Sequence, residues 1–226
     1  RDIHFSIGNY FNEIAQSFGI NGIDLIRSAN FQYSRSNIAS PGFVGGPCLE
    51  KDSYILVDNL KDSKGKDFVL GARRYNESME DILIDWLLKK IREYNITKVG
   101  FTGLAFKGNP DNSDLRGSNG INIIEKIKAK KDLDIDLMLH DFVVPPNELN
   151  CYGKSYESIE EFANNSEVII VLNNNQRYSQ LPIQKLLSNI LDPGLILDCW
   201  SCLEVIDSKE YSNIFTLGNI YLNNEN

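Results

Sequence analysis

The order of hydrophobic and polar residues changes near residue 95, and the two parts of the chain predict different elements. Before that point, apolar side chains recur every three or four positions, which is typical of helices that bury one face. A first helical segment reaches Asn30 with a short break at residues 19–22, and the longest pattern covers residues 67–94. The apolar face of that long helix comprises Phe68, Leu70, Ala72, Tyr75, Met79, Ile82, Trp86, Leu87 and Ile91. We therefore predict a helical domain for residues 1–95.

After residue 95, short apolar runs alternate with helical stretches. The predicted strands are residues 98–103, 135–139, 168–172 and 195–198, and the predicted helices are residues 118–130, 158–163 and 181–190. Short apolar strands separated by helices are typical of a parallel sheet that is covered on both faces. The predicted fold class is therefore α/β, with the helical domain followed by a Rossmann-like parallel-sheet domain at residues 96–226.

Composition narrows the classes of function. The chain has 226 residues, 42% of them hydrophobic, which suits two domains with ordinary cores. Its 23 Lys and Arg against 31 Asp and Glu give a formal net charge of −8, which argues against nucleic-acid or membrane-surface partners. No apolar run approaches the roughly 20 residues of a membrane span. We expect a cytosolic protein, whose four cysteines are too sparse for a disulfide scaffold.

The segment from Pro41 to Asp52 carries the strongest candidate chemistry. Gly45 and Gly46 allow the backbone to approach a bound ligand or to adopt a positive φ, so we expect them to line a substrate site. Pro47 suits the first position of a helix, which places Cys48 in the first helical turn. There, the helix dipole stabilises a thiolate.

Two neighbours of Cys48 suggest a covalent reaction. Lys51 adds a positive charge near the thiol, and Asp52 projects from the same helical face one turn further on. A thiol beside a carboxylate is a sensible pair for forming a covalent intermediate and guiding water to it. The residues alone leave a plainer alternative open, in which Cys48 is a small packed residue and Lys51 and Asp52 are solvated surface charges.

Several motifs together resemble the UDP-glucose/GDP-mannose dehydrogenase family. Residues 45–52, Gly-Gly-Pro-Cys-Leu-Glu-Lys-Asp, resemble its catalytic cysteine motif. Residues 103–107, Gly-Leu-Ala-Phe-Lys, resemble its strand-loop-helix motif, which continues here with Asp111, Asp114, Arg116 and Ser118. The pair at residues 140–141, His-Asp, stands where the family usually has Tyr-Asp-Pro, and residues 72–79 resemble the family's long helix. These matches follow the family's order along nearly the whole chain.

The resemblance implies an NAD-dependent oxidation of the C6 alcohol of a UDP-sugar to a carboxylate. Cys48 would trap the aldehyde as a thiohemiacetal, whose oxidation gives a thioester. Asp52 would help water to release the acid, and Lys51 would have a local electrostatic role. The sugar stays open among glucose, N-acetylglucosamine and N-acetylmannosamine, and only the resemblance favours uridine over guanosine.

For nucleotide binding, Lys107 and Arg116 are the best candidates in the predicted Rossmann-like domain. Lys107 follows a strand at the carboxyl edge of the sheet, and Arg116 stands just before a helix, so both are suited to meet pyrophosphate or uridine. The alternative is that these cations only pair with Asp111 and Asp114 in a solvated loop.

The helical domain is also expected to form a homodimer. Its long apolar face, residues 68–91, carries more apolar surface than one small domain easily covers. Arg35 resembles an arginine that family dimers send into the neighbouring subunit's sugar pocket. The contrasting hypothesis is a stand-alone nucleotide-sugar-binding or dimerisation module without catalysis.

The remaining expectations concern cofactors and metals. The helical pattern is already under way at Arg1, so we expect a longer protein whose upstream domain binds most of the NAD. The family's catalytic Lys and Asn and its glycine-rich fingerprint would lie there, so this chain alone is expected to be inactive. The spacing of Cys199 and Cys202 could suggest a redox or zinc pair, but no second such pair follows in the sequence. We therefore expect buried thiols and no metal.

Overall fold

The computed structural model describes residues 1–61, 63–203 and 211–221. The chain divides into two compact units. The first contains Arg1–Ile82 and the segment that begins at Leu217, and the second is Leu83–Thr216. The domain division at residue 95 stays a prediction.

The first unit is built from helices. They are α1 (Asp2–Ser17), α2 (Gly22–Asn30), α3 (Leu49–Asn59) and α4 (Ser63–Tyr94), the last of which continues into the second unit. The break between α1 and α2 has a local cause, because the Asn21 side chain accepts hydrogen bonds from the backbone N–H groups of Ile23 and Asp24 and so caps α2. Helix α3 begins at Leu49, two residues later than predicted, so that Pro47 lies outside it.

Residues 217–221 return to the first unit, which the sequence pattern did not indicate. The side-chain amides of Asn12 and Gln16, both buried on α1, donate to the carbonyl oxygen of Leu217 at 2.9 Å each. The backbone N–H of Gly22 donates to Gly218 at 3.0 Å. Polar side chains of α1 thus satisfy backbone groups of residues 217–221, which form turns rather than a helix or strand.

Helix length alone does not make a membrane span. Helix α4 has 32 residues, but charged side chains recur throughout it, from Lys64 to Arg92. Among the described residues, no helix combines the length and the apolar character that crossing a bilayer requires.

The second unit confirms the predicted parallel sheet. Its strands are β1 (Lys98–Thr102), β2 (Asp136–His140), β3 (Lys154–Ser155), β4 (Val168–Val171), β5 (Leu195–Asp198) and β6 (Ile214–Thr216). All pairings among these described strands are parallel, in the order β3-β2-β1-β4-β5-β6. The helices are α5 (Asn119–Lys128), α6 (Pro146–Leu149), α7 (Ile159–Ala163) and α8 (Ile183–Asn189), with a 3₁₀ helix at Gln176–Gln180.

The strand order sets the place where a ligand is expected. Strands β4 and β5 are buried along their whole lengths, as in a sheet covered on both faces. From β1, strands β2 and β3 follow on one side of the sheet, whereas β4, β5 and β6 follow on the other side. The connections after β1 and β4 therefore lead in opposite directions from the carboxyl edge of the sheet. In open α/β sheets this is the switch point at which ligands bind.

A buried hydrogen-bonded group closes the core near this edge. The Thr102 hydroxyl lies 2.8 Å from His140 Nδ1 and 2.8 Å from the Tyr178 hydroxyl. The His140 ring also packs against Phe142 and Phe162, with ring centroids 4.8 and 5.6 Å away. Burial lowers the pKa of His140 from 6.5 to about 4, so the imidazole is neutral in the folded unit at neutral pH.

We predict that His140 makes the second unit less stable in acid. Because its folded pKa is lowered, its contribution is fully present above pH 6.5 and is lost as the pH falls towards 4. The loss amounts to at most about 3 kcal/mol. Urea unfolding can follow this unit through Trp86 and Trp200, the two tryptophans of the chain, both of which lie in it.

The comparison with His140→Asn isolates this effect. Burial raises the pKa of Asp198 to about 6, which acts in the opposite direction, but that contribution is common to both proteins. The variant should lose markedly less stability than the natural chain between pH 6.5 and 4. An equal loss in both proteins would contradict the assignment.

Candidate functional site

The cysteine loop of the first unit presents an exposed thiol from a mostly buried backbone. Residues 41–44 and Gly46 are buried, whereas Cys48 is exposed. Cys48 caps α3 with helical torsion angles, and its carbonyl oxygen accepts the N–H of Asp52 at 2.9 Å. Asp52 therefore lies one helical turn after Cys48, as predicted, and both Lys51 and Asp52 are exposed.

The glycines before Cys48 have a conformational role. Gly46 adopts a φ of +99°, a region that side chains with a Cβ strain to reach. Its carbonyl oxygen then accepts the N–H of Glu50, which closes the turn into α3. This positive φ was one of the two roles predicted for the glycine pair. Contact of Gly45 and Gly46 with substrate stays a prediction.

The loop after β1, residues 103–118, is organised by Asp141 at the end of β2. One carboxylate oxygen of Asp141 accepts the N–H groups of Leu104 and Ala105 at 2.6 and 3.1 Å. The other oxygen accepts those of Val143 and Val144 at 2.7 and 3.0 Å. A buried carboxylate with four N–H donors is well satisfied and fixes two loops at once.

This arrangement does not fit a dinucleotide such as NAD. In dinucleotide-binding Rossmann folds, the backbone N–H groups of the first strand-helix turn face the pyrophosphate. Here, Asp141 already occupies the N–H groups of Leu104 and Ala105. Its negative charge would also repel a phosphate at that place. The described residues of this unit therefore provide no NAD site of that kind.

Consecutive asparagines after β4 hold the middle of the same loop. The side-chain oxygen of Asn174 accepts the N–H groups of Gly108 and Asn109 at 3.1 Å each. The Asn175 amide donates to Gly108 O at 3.4 Å and to Asp111 at 3.0 Å. A Cβ at Gly108 would lie 2.1 Å from the backbone nitrogen of Asn175, so only glycine permits this close approach. The sequence alone does not mark these asparagines, because they resemble an ordinary polar loop.

The structure places Lys107 and Arg116 on this one loop, in different electrostatic surroundings. Arg116 is paired with Asp114 through contacts of 2.7 to 3.1 Å, and its side chain is 79% exposed. These hydrogen bonds lower the pKa of Asp114 to about 2. Lys107 lies 5.4 Å above the Phe106 ring and, within the described part of the chain, pairs with no carboxylate.

The alternative that both cations only pair with nearby aspartates thus holds for Arg116 but not for Lys107. Asp111 is bound by Arg177 at 3.3 Å rather than by Lys107. Arg177 also donates to the Phe142 carbonyl oxygen at 2.6 Å, which links this loop to the segment after β2. Lys107 consequently keeps its ammonium group available to an anion.

The remaining candidates have simpler surroundings. Arg35 is exposed in the irregular segment before the cysteine loop, and its guanidinium lies 5.2 Å from the Tyr33 ring centre. Burial raises the pKa of both Cys199 and Cys202, the latter to about 12, so both are neutral thiols. Within the residues that the structure describes, no group of three His, Cys, Asp or Glu side chains is placed to hold a metal ion.

Comparison with known proteins identifies two domains of one family. Residues 1–78 match the central domain of the UDP-glucose/GDP-mannose dehydrogenase family, and residues 100–205 match the family's UDP binding domain. A UDP-N-acetyl-D-mannosamine dehydrogenase of Methanocaldococcus jannaschii is 29% identical over 225 residues, which are 96% of this chain and 48% of the relative. An NDP-N-acetyl-D-galactosaminuronic acid dehydrogenase of Ralstonia nicotianae is 27% identical over 84% of this chain and 44% of the relative.

Solved structures share the fold. The UDP-D-ManNAc dehydrogenase from Pyrococcus horikoshii superposes with a TM-score of 0.80 at 22% identity, over 98% of this chain and 50% of that chain. The UDP-N-acetyl-mannosamine dehydrogenase Cap5O from Staphylococcus aureus gives a TM-score of 0.79 at 24% identity, over 98% and 49%. The chain thus spans about half the length of the relatives it matches. Because both domain matches occur in the family's order and cover most of the chain, it belongs to the UDP-glucose/GDP-mannose dehydrogenase family.

Proposed function

We propose that this chain is the substrate-binding and dimerisation part of an NAD-dependent UDP-sugar 6-dehydrogenase. The observation that carries the proposal is the exposed Cys48 at the start of α3, held on a loop whose backbone is otherwise mostly buried. A packing role for this cysteine would place its thiol inside the unit. An exposed thiol at a helix start, one turn from a carboxylate, instead favours chemistry on a bound molecule.

Cys48 and Asp52 are proposed to act in sequence. The first oxidation converts the C6 alcohol to an aldehyde, and the Cys48 thiolate adds to its carbonyl carbon to form a thiohemiacetal. Loss of a second hydride gives a thioester. Asp52 then accepts a proton from water, whose attack releases the carboxylate and the thiol. NAD is the proposed acceptor of both hydrides and is assigned to a domain outside this chain, so the chain alone is proposed to be inactive.

Lys107 and Arg116 are proposed to bind the diphosphate of the substrate. Lys107 is the stronger candidate, because its ammonium is paired with no carboxylate in the described residues, whereas Asp114 neutralises much of the Arg116 charge. Both stand on the loop that leaves the sheet at its switch point, where α/β folds bind ligands.

UDP-N-acetyl-D-mannosamine is the sugar nucleotide that we propose to test first. Relatives that bear this activity in their names include those of M. jannaschii, at 29% identity over 96% of the chain, and P. horikoshii, at 35% over 57%. UDP-glucose and UDP-N-acetylglucosamine are the comparison substrates. A cytosolic location is also proposed, which agrees with four cysteines that all remain unpaired.

The proposed homodimer uses the helical part of the chain, although the supporting residues differ from those expected. Most of the apolar face of α4 is already buried, including Met79, Trp86 and Leu87. Phe68, in contrast, is 62% exposed. Further large apolar side chains are exposed on α1 and α3: Ile7, Tyr10, Phe11, Tyr54, Ile55 and Leu56. We propose that this exposed apolar surface is covered by a second copy, into whose sugar pocket Arg35 reaches.

In the complete dehydrogenase, Cys48→Ala is expected to abolish acid formation from UDP-N-acetylmannosamine. Its affinity for the sugar nucleotide should stay within about threefold, because the thiol contributes little to ground-state binding. Asp52→Asn should accumulate a covalent adduct, visible by mass spectrometry on the Cys48 peptide. Cys151→Ala removes the other exposed thiol of this chain and serves as the control.

Two results would contradict this assignment. One is near-normal acid formation by Cys48→Ala, and the other is an adduct that maps to a different residue. Binding of UDP-sugars by the complete protein without any oxidation would favour the module without catalysis.

Lys107→Ala is expected to weaken UDP binding to this chain by roughly 1.5–3 kcal/mol, the range for hydrogen bonds to charged groups. Arg116→Ala should have a smaller effect, because Asp114 shares its charge. Titration calorimetry measures both. Lys154→Ala is a matched control, since Lys154 also lies above an aromatic ring, 5.2 Å from Tyr156. Equal losses in Lys107→Ala and Lys154→Ala would reject the assignment of Lys107.

Phe68→Glu is expected to shift the chain from dimer to monomer. Burial of an aromatic side chain contributes roughly 1.5–3 kcal/mol, so the dimer dissociation constant should rise by about tenfold or more. Tyr94→Glu places the same charge on the other end of α4 and should leave the dimer intact. Sedimentation equilibrium that finds a monomer for the natural chain, or no difference between the variants, would count against this interface.

A further inference from the structure

A buried charged group of the first unit is bonded to the backbone on both sides of the cysteine. Arg73 on α4 is only 2% exposed. Its Nη2 donates to the carbonyl oxygen of Val44 at 3.2 Å, and its Nη1 donates to that of Leu49 at 3.5 Å. Val44 precedes Cys48 by four residues and Leu49 follows it directly. The guanidinium thus connects the two ends of the turn from which the thiol projects.

The position of Arg73 is itself fixed by two carboxylates. Nη1 pairs with Asp2 at 3.1 Å, and Asp2 is 5% exposed. Nε pairs with Glu77 at 2.8 Å, one turn further along α4. Asp2 also accepts hydrogen bonds from Asn76 and from Ser53 on α3. A buried charge with this many partners has one favoured orientation, because losing any partner leaves polar groups unsatisfied.

The hydrogen-bonded side chains around Arg73 also hold the cysteine loop at Gly42. Asn76, which is fully buried, accepts a hydrogen bond from Asn9 at 3.1 Å. Asn9 in turn donates to the carbonyl oxygen of Gly42 at 3.1 Å and accepts its N–H at 2.8 Å. The loop is therefore bonded at Gly42, Val44 and Leu49, always to side chains of α1 and α4.

We infer that Arg73 is a positioning residue for Cys48, and that Asp2, Asn76 and Asn9 complete this support. The inference rests on the proposed function, in which Cys48 forms the covalent intermediate. A reaction of this type requires the nucleophile to be held close to one geometry. Lysine cannot replace arginine here, since its single ammonium lacks the planar fork that reaches Val44, Leu49 and Asp2 together.

The test compares Arg73→Lys with Arg74→Lys, the same substitution at the exposed neighbouring position. In the complete dehydrogenase, Arg73→Lys is expected to lower kcat by about tenfold or more while KM for the UDP-sugar stays within about threefold. Arg74→Lys should leave both constants unchanged. A role in folding alone would lower the amount of active enzyme without changing kcat per folded molecule, which circular dichroism and active-site titration of the Cys48 thiol determine.

Hydrogen exchange of the chain gives a readout that does not depend on catalysis. In Arg73→Lys, exchange should rise by about tenfold in the peptide that covers residues 42–52 and stay unchanged in peptides of α2 and of the sheet. Should the complete protein oxidise no UDP-sugar, the proposed function fails, but the exchange result still decides whether Arg73 holds the loop.

Two outcomes would overturn the inference. One is that Arg73→Lys behaves like Arg74→Lys in exchange and in kcat. The other is a uniform rise in exchange throughout residues 1–82, which would show general destabilisation. If Arg73→Lys does not fold, Asn9→Ala takes its place, because it removes both bonds to Gly42 and leaves the guanidinium in place. Local exchange in residues 42–52 and a lowered kcat then support the inference, and natural behaviour in both overturns it.

Discussion

The constraint on which this structure depends is that the buried backbone of an irregular loop must find hydrogen-bond partners outside that loop. In the two loops with the candidate functional residues, the side chains that supply these hydrogen bonds have opposite charges. In the cysteine loop and at the start of α3, the carbonyl oxygens of Val44 and Leu49 are bound by the Arg73 cation. In the loop after β1, the free N–H groups of Leu104 and Ala105 are bound by the Asp141 anion. In each case one buried side chain fixes the backbone while other side chains are left exposed.

The hydrogen bonds of Asp141 limit which ligands can bind at the carboxyl edge of the sheet. A Rossmann fold that binds a dinucleotide offers backbone N–H groups to the pyrophosphate at the end of its first strand. Here these groups already have a carboxylate partner, so an anion at this edge must be met by side chains. Lys107 is the cation of this loop that pairs with no carboxylate among the described residues, Arg116 is paired with Asp114, and Asn174 and Asn175 hold the middle of the loop against the end of β4. The strand order of a dinucleotide-binding fold is thereby suited to a different anionic ligand.

The sequence predicted the elements whose signal is local and missed the contacts that cross long distances. The strand at residues 168–171 is a continuous apolar run, the strands at residues 98–102 and 195–198 are mostly apolar and buried, and the caps of α2 and α5 are ordinary Asn and Ser signals. In contrast, β3 and β6 have two and three residues, too few to show alternation. The adjacent Arg73 and Arg74 look alike in the sequence, yet only Arg73 is buried. Its partner Asp2 lies 71 residues away, so no local signal distinguishes the two arginines. Likewise, nothing local shows that Asp141 is bonded to the loop after β1.

The place where UDP contacts the second unit is the most direct test of the proposed nucleotide site. Backbone amide resonances of the chain, assigned by NMR and titrated with UDP, report the contact residue by residue. We expect saturable shifts in residues 103–118 and in the Asn173–Asn175 segment that supports them, and Lys107→Ala should need about tenfold or more UDP to reach the same shifts. Saturable shifts confined to another part of the unit, such as α7 and α8, would contradict the proposed site, as would the absence of any response at millimolar UDP.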